Sequence, residues 1–348
     1  MPAYSRRVAV LHSVALFVSI CFVFICFVLI CFGIEAVAQT SLDDVHVVSR
    51  QTTPAMASMV ASTELVAGTY LHVIKRDVNL VLVPVSVTDQ LQRLVTGLGQ
   101  DNFQVFEGKK PQEIRHFSSE DAPVSIGIIL DSSGSMRDKM DRVREAVHQF
   151  CETANPQDEF FMITFADQPH LVSDFTSVPE EIEKELLFTE PRGRTALLDA
   201  VYMALGKMRE AKYGKKALLI ISDGGDNHSR YGEREVKSAV KESDVMIYAV
   251  GTFDRYVPTE EERLGPYLLS AIAEPTGGRA FTLQNPNDLP AVAHRIGTEL
   301  RTQYVIGYRP QDAPHDGKWH KISVKLRLPR KLSFLSAHAK TGYYAHGD

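Results

Sequence analysis

Three separate segments of the chain place hydroxyl and carboxylate side chains where an apolar run ends or a helix-like pattern begins. The segments are residues 131–135, 194–196 and 222–226. Five of their oxygen-bearing side chains could be turned to a common point: Asp131, Ser133, Ser135, Thr195 and Asp223. In the first segment this follows because alternate residues of a loop that enters a helix can face the same side. The spacing therefore indicates a site with two carboxylates and three hydroxyls.

Such a set of ligands favours a particular kind of ion. Hard oxygen ligands without nitrogen or sulfur suit Mg²⁺, Mn²⁺ or Ca²⁺ and disfavour zinc. Because Ca²⁺ prefers a cage of about six to eight oxygens, a set with few carboxylates and several neutral hydroxyls favours Mg²⁺, with water completing its octahedron. The low protein charge would leave the metal electrophilic and one position free. A carboxylate from another molecule would complete the coordination.

Other readings of the same polar residues stay open. Serine and aspartate are preferred helix N-caps, so Ser133 or Ser135 could satisfy backbone donors. Capping would explain one segment but not three with the same ligand chemistry. We interpret Asp199 and Asp226 as solvated or capping residues, and His228, in a polar turn, as non-catalytic.

The elements that would position these residues alternate between strand and helix patterns. Predicted strands cover residues 124–130, 160–165, 170–175, 217–221, 245–250 and 280–283. Predicted helices cover 136–150, 198–208, 233–242, 267–273 and 289–300. The apolar run 124–130 is typical of a strand buried on both faces of a parallel sheet. We therefore predict an α/β fold, a doubly wound and mostly parallel sheet over residues 121–301, whose ligands gather at the carboxyl ends of the strands.

The segments on either side of this region are rich in β patterns. Residues 80–87 alternate between a wholly apolar valine face and a mixed face, and residues 103–117 read as a hairpin with Gly108 in its turn. Further strands are predicted at 304–306 and 322–326. Neither flank has enough apolar positions for its own core. We predict that segments 76–120 and 302–345 pair into one small β-rich domain, into which the α/β domain is inserted.

The five oxygen-bearing side chains, in their three segments, resemble the metal-ion-dependent adhesion site of von Willebrand factor type A (VWFA) domains, which begins with Asp-x-Ser-x-Ser. The resemblance covers residues 121–301. It implies that Asp131, Ser133 and Ser135 bind the metal directly. It also implies that Thr195 binds directly or through water, and that Asp223 usually binds through water.

The flanks carry a second resemblance. They are similar to an exported bacterial subgroup of VWFA-related proteins, common in acidobacteria. The similar stretches are residues 81–97, 103–108, Phe117, 307–310 and 342–345. Arg194 departs from the family pattern, in which glycine often precedes the threonine. It could narrow the mouth of the site or add a positive contact to an acidic ligand.

Composition and missing motifs exclude several functions. The chain has 38 Lys and Arg against 43 Asp and Glu, a net charge of -5, so nucleic acid is not an expected partner. It has no phosphate-binding Gly-x-x-x-x-Gly-Lys loop, no His-Glu-x-x-His and no cysteine pairs at zinc spacing. We predict a non-enzymatic binding protein that grips an Asp or Glu of a protein partner. The alternatives are a metal-dependent hydrolase and an assembly or structural protein of the cell envelope.

The N-terminus carries an export pattern. Residues 8–34 contain no charged side chain, and Arg6 and Arg7 precede them. A cleaved signal peptide is one interpretation of segment 1–38, because Ala36-Val37-Ala38 supplies a small-x-small exit. A membrane anchor is the other, because the run is longer than the roughly 20 residues that span a bilayer. Both interpretations export the rest of the chain, in which residues 39–75 form a linker.

The two interpretations differ in the fate of residues 8–34. If the exit is used, the mature protein begins at Gln39 and leaves the membrane fraction; otherwise the protein stays tethered to the cytoplasmic membrane. N-terminal sequencing of the fractionated protein distinguishes them. Full-length protein in the cytosol, protected from external protease, would contradict both.

Overall fold

The computed structural model describes residues 80–223, 225–253, 260–310, 316–328 and 334–345. They belong to one compact unit, Val73–Asp348. The interpretations of segments 1–38 and 39–75 concern residues outside these ranges. Within the described residues, none of the helices combines the length and apolarity needed to cross a bilayer.

The described strands and helices alternate through the middle of the chain. The strands are β1 (Val81–Thr88), β2 (Phe103–Glu107), β3 (Lys110–Gln112), β4 (Ile114–Ser118), β5 (Ser125–Asp131), β6 (Glu159–Phe165), β7 (Pro169–Thr176), β8 (Lys216–Ser222), β9 (Val245–Thr252), β10 (Ala280–Leu283), β11 (Tyr304–Tyr308), β12 (Trp319–Leu326), β13 (Ser336–Ala339) and β14 (Gly342–Tyr344). The helices are α1 (Met140–Cys151), α2 (Pro179–Leu187), α3 (Leu197–Lys207), α4 (Glu233–Glu242), α5 (Glu260–Ala273) and α6 (Leu289–Arg301). Short 3-10 helices cover Gln100–Asn102, Gly134–Lys139, Met208–Glu210 and Pro286–Asp288.

A six-stranded sheet forms the centre of the α/β region. Its order is β10-β9-β8-β5-β6-β7, and every neighbouring pair is parallel except β6 and the edge strand β7. All seven residues of β5 are buried, because helices cover both faces. Apolar side chains of α1, α2 and α6 form the core on one face, and those of α3, α4 and α5 form the core on the other. The predicted doubly wound α/β fold is confirmed.

Two helical features depart from the sequence prediction. Helix α2, Pro179–Leu187, was not predicted, although Pro179 at its first turn and the buried Ile182 and Leu186 four residues apart are helix signals. The predicted stripe from Met136 begins in the 3-10 helix Gly134–Lys139, and the α-helix starts only at Met140. Short helices carry few turns of periodicity, so their signal is weak.

The flanks form two four-stranded sheets, in the orders β13-β1-β11-β4 and β14-β12-β2-β3. Each sheet contains strands from both flanks: β1 pairs antiparallel with β11, and β2 with β12. The predicted hairpin is only half correct. Strands β2 and β3 pair around Gly108, whose φ is +58°, but β4 pairs with β11 in the other sheet. The single residue between β3 and β4 lets the chain turn a corner from one sheet to the other.

The core of these two sheets is shared between the flanks. Its buried apolar residues are Val83, Val85, Val87, Phe103, Val105, Tyr304, Ile306, Tyr308 and Ile322. Tyr304 is 1% exposed, and its ring lies 5.0 Å from that of Phe103. Its hydroxyl donates to Val95 O and accepts from Leu98 N, both at 3.0 Å. A side chain from the C-terminal flank is therefore hydrogen-bonded to the N-terminal flank.

The two ends of the α/β region meet at the edge of the six-stranded sheet where β5 and β6 begin. Arg301, the last residue of α6, forms ion pairs with Asp121 at 3.2 Å and with Asp158 at 3.0 Å. Asp158 is buried and also accepts a hydrogen bond from Val124 N at 2.8 Å. The point where the chain enters this region and the point where it leaves are thus held together.

That the flanks act as a unit separate from residues 121–301 stays a prediction, which Tyr304→Ala tests. Loss of a buried aromatic ring should cost about 3 kcal/mol of unfolding free energy. Amide hydrogen exchange should then show reduced protection in β1 and β2 but not in β5 and β8. Tyr344→Ala, at a side chain that is 39% exposed, is the control. An equal loss of protection in β5 and β8 would contradict the separation.

Candidate metal centre

The two carboxylates of the predicted site lie at one edge of the six-stranded sheet. Asp131 ends β5, and Asp223 follows Ser222, the last residue of the neighbouring parallel strand β8. Asp131 is fully buried, and Asp223 is 3% exposed. The Ser222 hydroxyl donates to Asp131 Oδ2 at 2.6 Å, and Ser133 N donates to Asp131 Oδ1 at 2.8 Å. Both oxygens of this buried carboxylate therefore have a fixed partner.

Backbone hydrogen bonds hold three loops together at this edge. They are the first loop (residues 131–135), the second loop (192–196) and the third loop (222–228, of which Gly224 lies outside the described residues). Gly134 N donates to Gly193 O at 3.2 Å, which joins the first loop to the second. Asn227 N donates to Thr195 O at 3.0 Å, and Thr195 N donates to Asn227 Oδ1 at 3.1 Å, which joins the second to the third. The Ser222–Asp131 bond joins the third to the first.

The serine hydroxyls of the first loop are not used as helix caps. Ser133 occupies the N-cap position of the 3-10 helix Gly134–Lys139, yet its side chain makes no capping hydrogen bond. Its hydroxyl lies 3.0 Å from that of Ser135 instead. Ser133 is 1% exposed, whereas Ser135 is exposed, so the pair extends from the interior to the surface. The capping interpretation of Ser133 is therefore wrong.

The charge of the site fits a cation bound by oxygen ligands. Burial, followed by the nearby negative charge of Asp223, raises the pKa of Asp131 to about 6. The hydrogen bonds from Ser222 and Ser133 oppose this rise. No group of three or more His, Cys, Asp or Glu side chains suited to a metal occurs among the described residues. A metal at this edge would therefore need hydroxyl ligands as well, and Ser133, Ser135 and Thr195 are the hydroxyls that the loops supply.

Asp199 and Asp226 have other roles, as the sequence analysis suggests. Asp226 Oδ1 accepts hydrogen bonds from Leu198 N at 3.2 Å and from Ser229 Oγ at 2.5 Å, so it caps the start of α3. Asp199 Oδ1 accepts from Arg230 N at 2.8 Å. Asp226 thus fastens the third loop to the first turn of α3, and Asp199, which lies in that turn, holds the backbone just beyond the loop at Arg230.

Arg194 and His228 lie near the site, together with two residues that carry no functional signal in the sequence. Arg194 is exposed, and its Nη1 lies 3.2 Å from Nδ1 of His228. Lys139 and Asn227 were missed. Lys139 Nζ lies 3.0 Å from Asp223 Oδ2, across 84 positions of sequence. Neither contact has a sequence signal, because a lysine near a helix start and an asparagine in a turn are common features.

Comparison with known proteins relates part of the chain to one family. Residues 126–225 match the family of von Willebrand factor type A domains. No curated protein sequence matches the chain. Similar solved structures include BatB from Bacteroides thetaiotaomicron, at 19% identity and a TM-score of 0.41, covering 51% of this chain and 98% of that one.

Two further solved structures are similar. The von Willebrand factor domain of the type V pili tip protein Mfa5 from Porphyromonas gingivalis is 13% identical, with a TM-score of 0.41, covering 51% of this chain and 95% of that one. The von Willebrand factor type A protein from Catenulispora acidiphila is 12% identical, with a TM-score of 0.46, covering 74% of this chain and 73% of that one.

The doubly wound sheet with three joined loops at its carboxyl edge defines an open α/β domain with an oxygen-rich site. Since the family match spans residues 126–225, it includes all five side chains of that site. The part of the chain that carries the site therefore matches the von Willebrand factor type A domain family.

The role of Asp226 as a cap can be separated from ligation by substitution. Asp226→Ala removes the acceptor at the start of α3 and should cost about 1 kcal/mol of unfolding free energy in chelator. Asp226→Asn keeps an acceptor oxygen and should cost less. Urea unfolding of both variants measures the difference. If Asp226→Asn instead abolished metal binding while leaving stability unchanged, Asp226 would be a ligand.

Proposed function

We propose that this protein is an exported, non-enzymatic binding module that grips an acidic group of a partner protein through a divalent cation, Mg²⁺ or alternatively Mn²⁺ or Ca²⁺. The residues that would hold the cation are Asp131, Ser133, Ser135, Thr195 and Asp223. The main support is that hydrogen bonds join the three loops that carry them, while the Ser133 hydroxyl is not engaged in capping.

Each part of the chain contributes to binding in a different way. Asp131 is held by Ser222 and by the backbone of Ser133, so the carboxylate is oriented before any ligand arrives. The hydroxyls of Ser133 and Ser135 supply oxygen without charge. A bound Mg²⁺ would supply a Lewis acid whose positive charge is only partly neutralised by the protein. The site is therefore suited to a ligand that brings its own negative charge.

The surroundings also favour an acidic partner. Arg137, Arg192 and Arg194 are exposed close to the site in sequence, and among the described residues none of their guanidinium groups forms an ion pair, although Arg194 N donates to Asp167 Oδ1 at 3.0 Å. Arg192 N donates to Ser132 O at 2.8 Å, which holds this arginine beside the first loop. Positive groups around a binding site accelerate the encounter with an acidic partner and disfavour basic ones.

The alternative of a metal-dependent hydrolase has less support. It requires a general base beside the metal. Asp199 and Asp226 accept hydrogen bonds from backbone N–H groups, and His228 is exposed and in contact with Arg194. A role in envelope assembly, with the metal in a supporting position, is compatible with the same site. Turnover of ester substrates would favour the hydrolase, and partner binding that is insensitive to chelator would favour assembly.

The export part of the proposal rests on the sequence of residues 1–38 alone. Export would leave the site in the periplasm, in the cell envelope or outside the cell. If residues 8–34 are retained, they would tether the protein to the cytoplasmic membrane. Divalent cations in these compartments would then be available to it.

The proposal predicts that the protein binds one Mg²⁺ or Mn²⁺ per chain. Asp131→Ala should remove this binding, because it deletes the proposed carboxylate ligand at the end of β5, which the Ser222 hydroxyl orients. Titration calorimetry in a chelator-treated buffer measures the affinity. Asp138→Ala is the control, since Asp138 is an exposed acid of the neighbouring 3-10 helix. Equal metal affinity of Asp131→Ala and wild type would refute the assignment.

A further inference from the structure

A lysine side chain of this protein already provides a positive charge at the candidate site. Lys139 Nζ lies 3.0 Å from Asp223 Oδ2. The side chains of the two residues are 19% and 5% exposed, so the ion pair is largely shielded from water. Charges in such surroundings interact more strongly than on an open surface, because the effective dielectric constant is lower.

Lys139 lies on a segment that is continuous with the first loop. Lys139 is the last residue of the 3-10 helix Gly134–Lys139, whose N-cap is Ser133. The same helix carries Ser135. One short, continuous segment therefore presents two hydroxyls to the site from its beginning and an ammonium group to Asp223 from its end.

We infer that Lys139 is an internal counter-cation that competes with the divalent metal for the charge of Asp223, and thereby sets the metal concentration at which the site fills. This inference rests on the proposed function. It concerns regulation of the site and assigns Lys139 no role as a metal ligand or as a contact of the partner protein.

The two states of the site need Lys139 differently. Without metal, Asp131 and Asp223 place two carboxylates at one buried sheet edge, and the ammonium of Lys139 offsets one of them. With metal, the divalent ion supplies the positive charge, and the ammonium becomes a like charge close to it. Lys139 should therefore stabilise the empty site and weaken binding of the metal.

These opposite effects separate a competitor from a residue that only maintains the fold. Loss of a purely structural lysine would lower both stability and metal affinity. Loss of a competing cation should lower stability in chelator but raise metal affinity. We expect Lys139→Met to bind Mg²⁺ about tenfold more tightly than wild type, which corresponds to about 1.4 kcal/mol.

The experiment uses the exported chain, with MgCl₂ and MnCl₂ as the probes. Titration calorimetry gives the dissociation constants, and thermal unfolding in EDTA gives the stability of the metal-free protein. Lys139→Met keeps most of the aliphatic stem, and Lys139→Arg keeps the charge and should restore affinity close to that of wild type. Lys207→Met is the matched control, because Lys207 pairs with Asp174 at 2.7 Å and is 12% exposed, but lies at the far end of α3.

The outcomes distinguish the inference from the proposed function. If wild type and Lys139→Met both bind no metal, the proposed function fails and the inference fails with it. If wild type binds metal and Lys139→Met binds it equally or more weakly, the inference is overturned while the proposed function stands. Should Lys139→Met not fold in EDTA, Lys139→Gln, whose amide can still donate to Asp223, replaces it under the same criteria.

Discussion

The hydrogen bond from Ser222 Oγ to Asp131 Oδ2 joins the ends of β8 and β5, the two central strands of the six-stranded sheet. Removing a carboxylate from water is costly unless hydrogen bonds or opposite charges compensate. Here a strand-end hydroxyl and a backbone N–H compensate in part, while burial and the negative charge of Asp223 raise the pKa of Asp131. The surrounding loops hold this carboxylate in place but do not neutralise its negative charge.

The four aspartates at this edge of the sheet differ in the partners that compensate their charge. Asp226 accepts from Leu198 N at the start of α3, and Asp199, in the first turn of α3, accepts from Arg230 N and Tyr231 N. Asp223 is paired with Lys139. Asp131 has no basic partner among the described ion pairs and is the most buried of the four. The structure thus separates acids that are held by fixed donors or by Lys139 from Asp131, whose charge has no paired cation among the described residues.

Much of this arrangement follows from the sequence, because continuous apolar runs mark the buried strands and two of the three polar segments directly follow one of them, while the third precedes a helix pattern. The two strands were predicted to end at Leu130 and Ile221, one residue before β5 and β8 end at Asp131 and Ser222. Contacts between distant side chains were not, since Lys139 and Asn227 reach their partners only through the fold. The path of β4 was also missed, because alternation shows that a segment is a strand but not which sheet it joins.

The ion pairs of Arg301 with Asp121 and Asp158 have a consequence for the architecture as a whole. They bring the two ends of the α/β region together at the edge of the sheet opposite to the three loops. Because its two ends are neighbours, an α/β region of this kind can be replaced by one with different loops with little disturbance to the β sheets that flank it. The paired β strands of the two flanks thus adjoin the closed end of this region, and the three loops lie at its other end.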